Sequence, residues 1–308
     1  GTYVEDVVVT NKYFNLIGAV DTNGDPISVL EGSLFINNPA LAIDGSAFTT
    51  IKNIYFDRTD SHLLILQSFN GGLIENCLFD GNNTFANNGI NLNNGGKGNS
   101  KITVKDSIFK DGLYVGIGGY ANEVTVNGST FTNVKSGINL QGGGNLVVTG
   151  SDFSVVAQGV GSDTYGIRFA SDTGNTPNLS VSGGTIHVDK AGLVADSGTY
   201  HSAIIIRGGA TGNLVVDKVA LNGEVVNQST TSLDASPNWW GSAAGPVGTT
   251  ISGLVDYTPW CANAACTEFL PATITIASVA PVVCGVTPTT TIDINVAGIP
   301  ASIPMQGY

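Results

Sequence analysis

Seven stretches of this chain superimpose without gaps at their right-hand ends: TIKNIYF, LIENCLF, ITVKDSIF, VTVNGSTF, LVVTGSDF, LSVSGGTI and LVVDKVAL. In each, an aliphatic anchor (Ile51, Ile74, Val104, Val126, Val148, Val181, Val216) is followed five positions later by Phe56, Phe79, Phe109, Phe131, Phe153, Ile186 or Leu221. A fixed offset in a repeating sequence means one supersecondary unit stacked on copies of itself. Two places after the anchor stand Asn53, Asn76, Asp106, Gly128, Gly150, Gly183 and Lys218, nearly all residue types that tolerate positive φ. The chain should bend sharply there, with the anchor ending one strand and the aromatic sitting in the next.

A second motif interleaves with the first, as LLIL, GINL, YVGI, GINL, GIRF and AIII. Its period of two marks strands with one face buried, with inward pairs Leu64/Leu66, Ile90/Leu92, Val115/Ile117, Ile138/Leu140, Ile167/Phe169 and Ile204/Ile206. The whole unit runs to roughly 22 to 37 residues and varies only in its connections. Each repeat therefore reads as strand, tight bend, strand, loop, strand: one coil of a parallel β-helix. Stacking the coils would place the five phenylalanines above one another as an internal ring stack, with Cys77 inward beside Ile54 and Ser107.

These repeats resemble the right-handed parallel β-helix of the pectin-lyase-like superfamily, and the handedness comes from that resemblance and the crossover rule. The opening GTYVEDVVVTNKYFNLIGA resembles the entry coil of secreted β-helix repeat proteins and reads as a processed or excised segment. Toward the other end, SPNWWGSAAGP begins a stretch resembling a terminal segment of bacterial and archaeal surface β-helix proteins. Asn238, Trp239, Trp240, Gly241, Gly245, Pro246, Val255, Tyr257, Pro259 and Trp260 match its Asn-x-Trp-Gly, Gly-Pro and Val-x-Tyr-x-Pro-Trp pattern. Rings laid across the last coil would cover open strand edges, so Asn238, Trp239, Trp240, Tyr257 and Trp260 are the expected structural cap, within residues 236–260.

The fold class expected is all-β: a right-handed parallel β-helix over residues 1–266, cap included. Residues 267–308 change texture, with strand-like runs and many prolines, and resemble the opening strands of a β-sandwich that a following domain or a partner completes. Cys261 and Cys266 stand close enough in CANAAC to bridge, which would fit an oxidising, extracellular compartment; spacing alone leaves the pairing open.

Charge narrows the partners. Twelve Lys and Arg against 24 Asp and Glu leave a formal charge of −12, which argues against nucleic acid and anionic membranes. A polyanionic glycan would need a local basic cluster, and the basic residues are thinly spread along the chain. No stretch is long and apolar enough for membrane insertion.

On this fold, the resemblance implies, polysaccharide lyases and hydrolases line an outer groove with carboxylates, often with Ca²⁺, plus a basic residue that abstracts a proton. Three outward columns of the repeat are the places where such charge would stand. Asp57, Asp80, Lys110, Thr132, Ser154 and His187 form one, and Asp57 and Asp80 with Asp60 and Arg58 nearby make the acidic candidate for Ca²⁺. Lys52, Glu75, Lys105, Asn127 and Thr149 alternate in sign, as in ordinary surface pairing. The third, Ile65, Asn91, Gly116, Asn139, Arg168 and Ile205, flanked by Gln67, Asn93, Gly118, Gln141, Ala170 and Arg207, is neutral and amide-rich, suited to a glycan, a neighbouring filament or plain solvent.

Arg168, His201 and Arg207, with Tyr165 and Tyr200, form the catalytic alternative, because long loops on adjacent coils protrude on one side. The three-aspartate pattern of polygalacturonases is missing, as are a nucleophile elbow, a phosphate loop and Cys/His metal spacing. The expected function is thus a non-enzymatic extracellular structural or adhesive module, a surface stalk, sheath or fibre subunit that self-associates or contacts polysaccharide. The alternative is a lyase or glycosidase acting on an extracellular glycan in the groove.

Overall fold

The computed structural model describes residues 1–37, 49–67, 69–92, 100–158, 162–171, 176–190, 199–246 and 250–270, with the backbone of 273–279 and 292–297. The strands through residue 256 form a 17-stranded and a 10-stranded sheet, and every pairing within them is parallel. Coil follows coil by a circuit of three faces. The anchor face and the ring face meet at the bend and share the larger sheet, and the strands Asn145–Val156 and Leu179–Asp189 run through that bend unbroken. The smaller sheet is the third face.

The bend is where the sequence places it. Asn53, Asn76, Asp106, Gly128, Gly150, Gly183 and Lys218 all adopt positive φ, between 47° and 65°. Register then follows from the repeat: anchors pair with anchors, and Phe56, Phe79, Phe109, Phe131 and Phe153 pair in order with one another and with Ile186 and Leu221. The phenylalanine rings stack with centroids 4.5 to 4.7 Å apart and planes within 5° of parallel. Strand spacing dictates that distance, since equivalent residues of neighbouring coils lie one hydrogen-bond step apart.

Two features of the core escape a hydrophobic pattern. One is the small residue that precedes each inward isoleucine of the third face. A methyl group on Gly116 would lie 2.6 Å from the Phe131 ring and one on Gly137 would lie 2.5 Å from Phe153, so the ring stack needs those glycines for room rather than for turning. The other is a ladder of buried hydroxyls just past the bend. The backbone N–H groups of Cys77, Ser107 and Ser129 donate to Oγ of Ser107, Ser129 and Ser151, each at 3.2 Å. Each Oγ donates in turn to the carbonyl two residues earlier, which satisfies the polar groups a bend would otherwise strand inside. Cys77 lies on this ladder as a buried thiol, its pKa pushed up to about 12 by desolvation.

The third face carries one correction. Ile90 pairs with Ile117 and Asn91 with Gly118, so the inward pair of that coil is Ile117/Gly119 and the outward column passes through Gly118 instead of Gly116. The slip is two residues, and an even slip keeps the same side chains inward, so the alternation in the sequence cannot detect it. Asn93 of the flanking column lies outside the described residues.

At the last coils, Asn238 is fully buried. Its Oδ1 accepts from Val219 N–H at 2.8 Å, and its Nδ2 donates to the carbonyls of Val216 and Ala235 at 2.7 and 2.6 Å. The Trp239 backbone pairs with Ala220, which turns Trp240 inward beyond Leu221 in the ring column. Trp240 is 8% exposed and meets Tyr257 edge-on at 6.4 Å. Trp260, also buried, donates its Nε1–H to the Ala243 carbonyl at 3.1 Å, while Trp239 stays half-buried. Cys261 and Cys266 are disulfide-bonded. Beyond them Thr273–Val279 and Ile292–Ala297 pair antiparallel, and 280–291 and 298–308 lie outside the described residues.

Burial also sets a pH limit. The half-buried His62 accepts the Asn88 backbone N–H on Nδ1 at 3.1 Å, which requires a ring nitrogen without a proton, and desolvation holds its pKa below the usual value. The unfolded chain then binds the proton more readily, so stability is complete above the ordinary imidazole pKa and declines as pH falls through it toward the lower folded value. Denaturation midpoints measured between about pH 7 and pH 5 should fall, and His62→Asn, which keeps an acceptor, should flatten that decline.

Candidate functional site

Three places were nominated by the sequence, and the fold treats them differently. In the acidic column, Asp57, Asp80 and Lys110 do stand in register on adjacent coils. Lys110 forms ion pairs with both Asp80 and Asp111, each at 2.9 Å, and the Tyr55 hydroxyl donates to Asp80 at 3.1 Å. The desolvated Tyr55 phenol, with Asp80 and Asp57 beside it, is pushed up to about 12. Asp57 takes the amide of Asn82, and Asp60 turns away to Arg58, which also holds Asp6. The three aspartates therefore do not converge on a common point, and among the described residues no group of three or more His, Cys, Asp or Glu side chains is placed to hold a metal. Lys110, Arg58 and the Asn82 amide each engage one of these carboxylates, so the arrangement lends the expected Ca²⁺ role no support.

In the alternating column, Glu75 sits between Lys52 at 2.8 Å and Lys105 at 2.9 Å, and these two ammoniums hold its carboxyl below the usual range. This is surface pairing across strands, as its signs imply.

The third face differs from the flat, solvated surface its composition describes. Ile205 points outward yet is fully buried, and with Tyr165, Val226 and the partly buried Tyr200 it makes a small apolar cluster separate from the main core. That cluster fixes two tyrosine rings, and the rings fix charge. The Arg207 guanidinium lies over the Tyr200 ring at 4.7 Å, and Arg207 bonds Asp163 at 3.2 Å and Gln228 at 3.1 Å. Asp163 also accepts the Tyr200 backbone N–H at 3.0 Å, while Gln228 donates to the Tyr200 hydroxyl at 2.7 Å. One coil back, Arg168 donates to the Asn139 amide oxygen at 2.8 Å, the residue it pairs with in register.

Beside them lies a pocket of about 450 Å³ with a strongly polar lining, bounded by Tyr114, Lys135, Asp163, Tyr165, Arg168 and Arg207. Arg168 and Arg207 thus come together as the sequence suggests. His201 does not join them. It is 1% exposed, because it begins the strand His201–Ile206 instead of lying in the preceding loop, and it pairs with the equally buried Thr164. A shift of one residue in a strand reverses the side that a side chain faces.

Sequence reasoning passed over Tyr114, Lys135 and Asp163. A signal was present: counted back three places from the inward isoleucines Ile117, Ile138, Ile167 and Ile204 stand Tyr114, Lys135, Thr164 and His201. Aligning the third-face motif on isoleucine would have put Lys135 at a strand start, one coil from Tyr114.

Residues 3–153 match the family model described as "Right handed beta helix region". The fold is a right-handed parallel β-helix. The matched stretch includes Tyr114 and Lys135 and stops before Asp163, Arg168 and Arg207. No curated protein and no solved structure matches this chain.

Proposed function

We propose that this β-helix is a non-catalytic structural or adhesive module, an extracellular rod that presents its outer faces to a glycan or to another surface protein. The burial of His201 carries the reading, since the one histidine placed near the two arginines cannot reach a substrate held on the outer face. The engagement of Asp60 and Asp80 by Arg58 and Lys110 supports it, because it occupies the carboxylates a cation-assisted groove would use. The Cys261–Cys266 bridge favours an oxidising compartment. Trp240, Tyr257 and Trp260, with Asn238, act as the cap of the last coil on this reading, and Trp239 contributes its backbone.

The alternative is a lyase or glycosidase, as the resemblance to the pectin-lyase-like superfamily suggests. One observation favours it: Arg168 and Arg207 share an open pocket on the outer face. Incubation with a panel of neutral and acidic polysaccharides, with and without Ca²⁺, should release neither reducing ends nor unsaturated products. Cleavage that disappears in Arg168→Ala or Asp80→Ala protein would establish the enzyme instead.

A further inference from the structure

We infer that the third-face pocket is a binding site for the oxyanion of an acidic sugar, a carboxylate or sulfate carried on a hydroxyl-rich ring, with Lys135 as its central cation. The inference goes beyond the structural reading and holds whether or not the chain is catalytic.

Lys135 is a charge without a counter-charge among the described residues. Lys135 is only 6% exposed, yet among the described residues no carboxylate lies within ion-pair distance of its ammonium. Nζ sits 4.0 Å from the centre of the Tyr114 ring and lines the pocket. A cation–π contact supports an ammonium but does not replace the counter-charge that burial removes. By contrast, Lys52, Lys101, Lys105, Lys110, Lys190 and Lys218, which do form ion pairs, have side chains 33% to 58% exposed.

The surroundings reinforce the imbalance. Among the described residues, three cations, Lys135, Arg168 and Arg207, line the pocket against one carboxylate, Asp163, which is committed to Arg207. Arg168 is positioned by a neutral amide and forms no ion pair among the described residues. The Nε of Arg207 is buried and makes no hydrogen bond among the described residues. An oxyanion entering the pocket would supply the missing acceptors, and a planar guanidinium binds a carboxylate or sulfate through paired N–H donors. Tyr114, Tyr165 and Gln141 add ring faces, a hydroxyl and an amide suited to sugar hydroxyls.

Net charge sharpens the ligand class. At −12 overall, the protein repels long polyanions, while a short-range basic pocket still favours one acidic residue in an otherwise neutral glycan.

Isothermal titration of the full chain with D-glucuronate, D-glucose 6-sulfate and D-glucose tests this directly. At least one acidic sugar should bind and glucose should not, and the preferred acid identifies the oxyanion. Lys135→Met, which keeps the stem and removes the charge, should weaken binding about tenfold or more while leaving the unliganded melting temperature unchanged or higher. Arg168→Gln, at a part-exposed position, should weaken binding similarly and carries the test if the Lys135 variant does not fold. Failure of both acids to outbind glucose would overturn the proposal. So would unaltered affinity in the variants, including a Lys135→Met protein that merely melts earlier, since that would make the lysine structural. The titration reads binding alone, so its result is separable from the cleavage assay above.

Discussion

Trp240→Ala should destabilise the last coils by about 3–5 kcal/mol, the range for truncating a buried aromatic, and lower the melting temperature by roughly 10 °C. The ring fills the end of the inward column beyond Leu221 and packs edge-on against Tyr257. Without it, the terminal coil loses the surface that shields its interior, and solenoid coils are stabilised mainly by their nearest neighbours. Hydrogen exchange should therefore speed first in Ile251–Gly253 and Val255–Asp256, with the central coils protected. Trp240→Phe should cost much less. It keeps a ring and removes an Nε1–H that is buried without a hydrogen-bond partner among the described residues. Unchanged stability in the alanine variant, with exchange uniform along the rod, would remove the cap assignment.

Phe109→Ala should be at least as damaging, by about 3–5 kcal/mol, because its ring has a stacked neighbour on each side, at 4.6 and 4.5 Å. Phe56→Ala should cost less, since Phe56 stacks on Phe79 alone among the rings of the column. Phe109→Leu should fall between wild type and Phe109→Ala, retaining volume but losing the ring overlap. Urea unfolding of the three variants orders these effects. If Phe56 and Phe109 gave equal losses, the stack would be a row of independent fillers and not a coupled column.

Much of this architecture is written in the repeat itself. The offset of five between anchor and aromatic, with Asn, Asp or Gly between them, encodes the bend locally, since backbone sterics favour those residues at positive φ. Repetition does the rest: once one coil is specified, copies of it stack in register, and Phe56 to Phe153 must coincide. Even the exception is informative, for Lys218 takes the same left-handed conformation at 54° because the stacked neighbours impose it.

The site was legible only in part. Arg168 and Arg207 were found because they flank a readable strand motif, whereas Lys135 was hidden among basic residues that look scattered along the chain. Lys135 and Arg207 lie on different coils, and their approach depends on the lengths of the connections and on third-face register. Alternation of period two leaves that register undetermined by any even slip, as the Ile90–Ile117 pairing shows. His201 fails for the complementary reason, that the register shifts between Ser202 and Ile204, so counting back by twos from Ile204 gives the wrong side. The coil, its bend and its ring column are readable from the chain, because they follow from local stereochemistry repeated. Tertiary structure decided which charges meet, which aspartates are already paired and which lysine is buried without a carboxylate among the described residues, because such contacts join coils whose spacing no local rule sets.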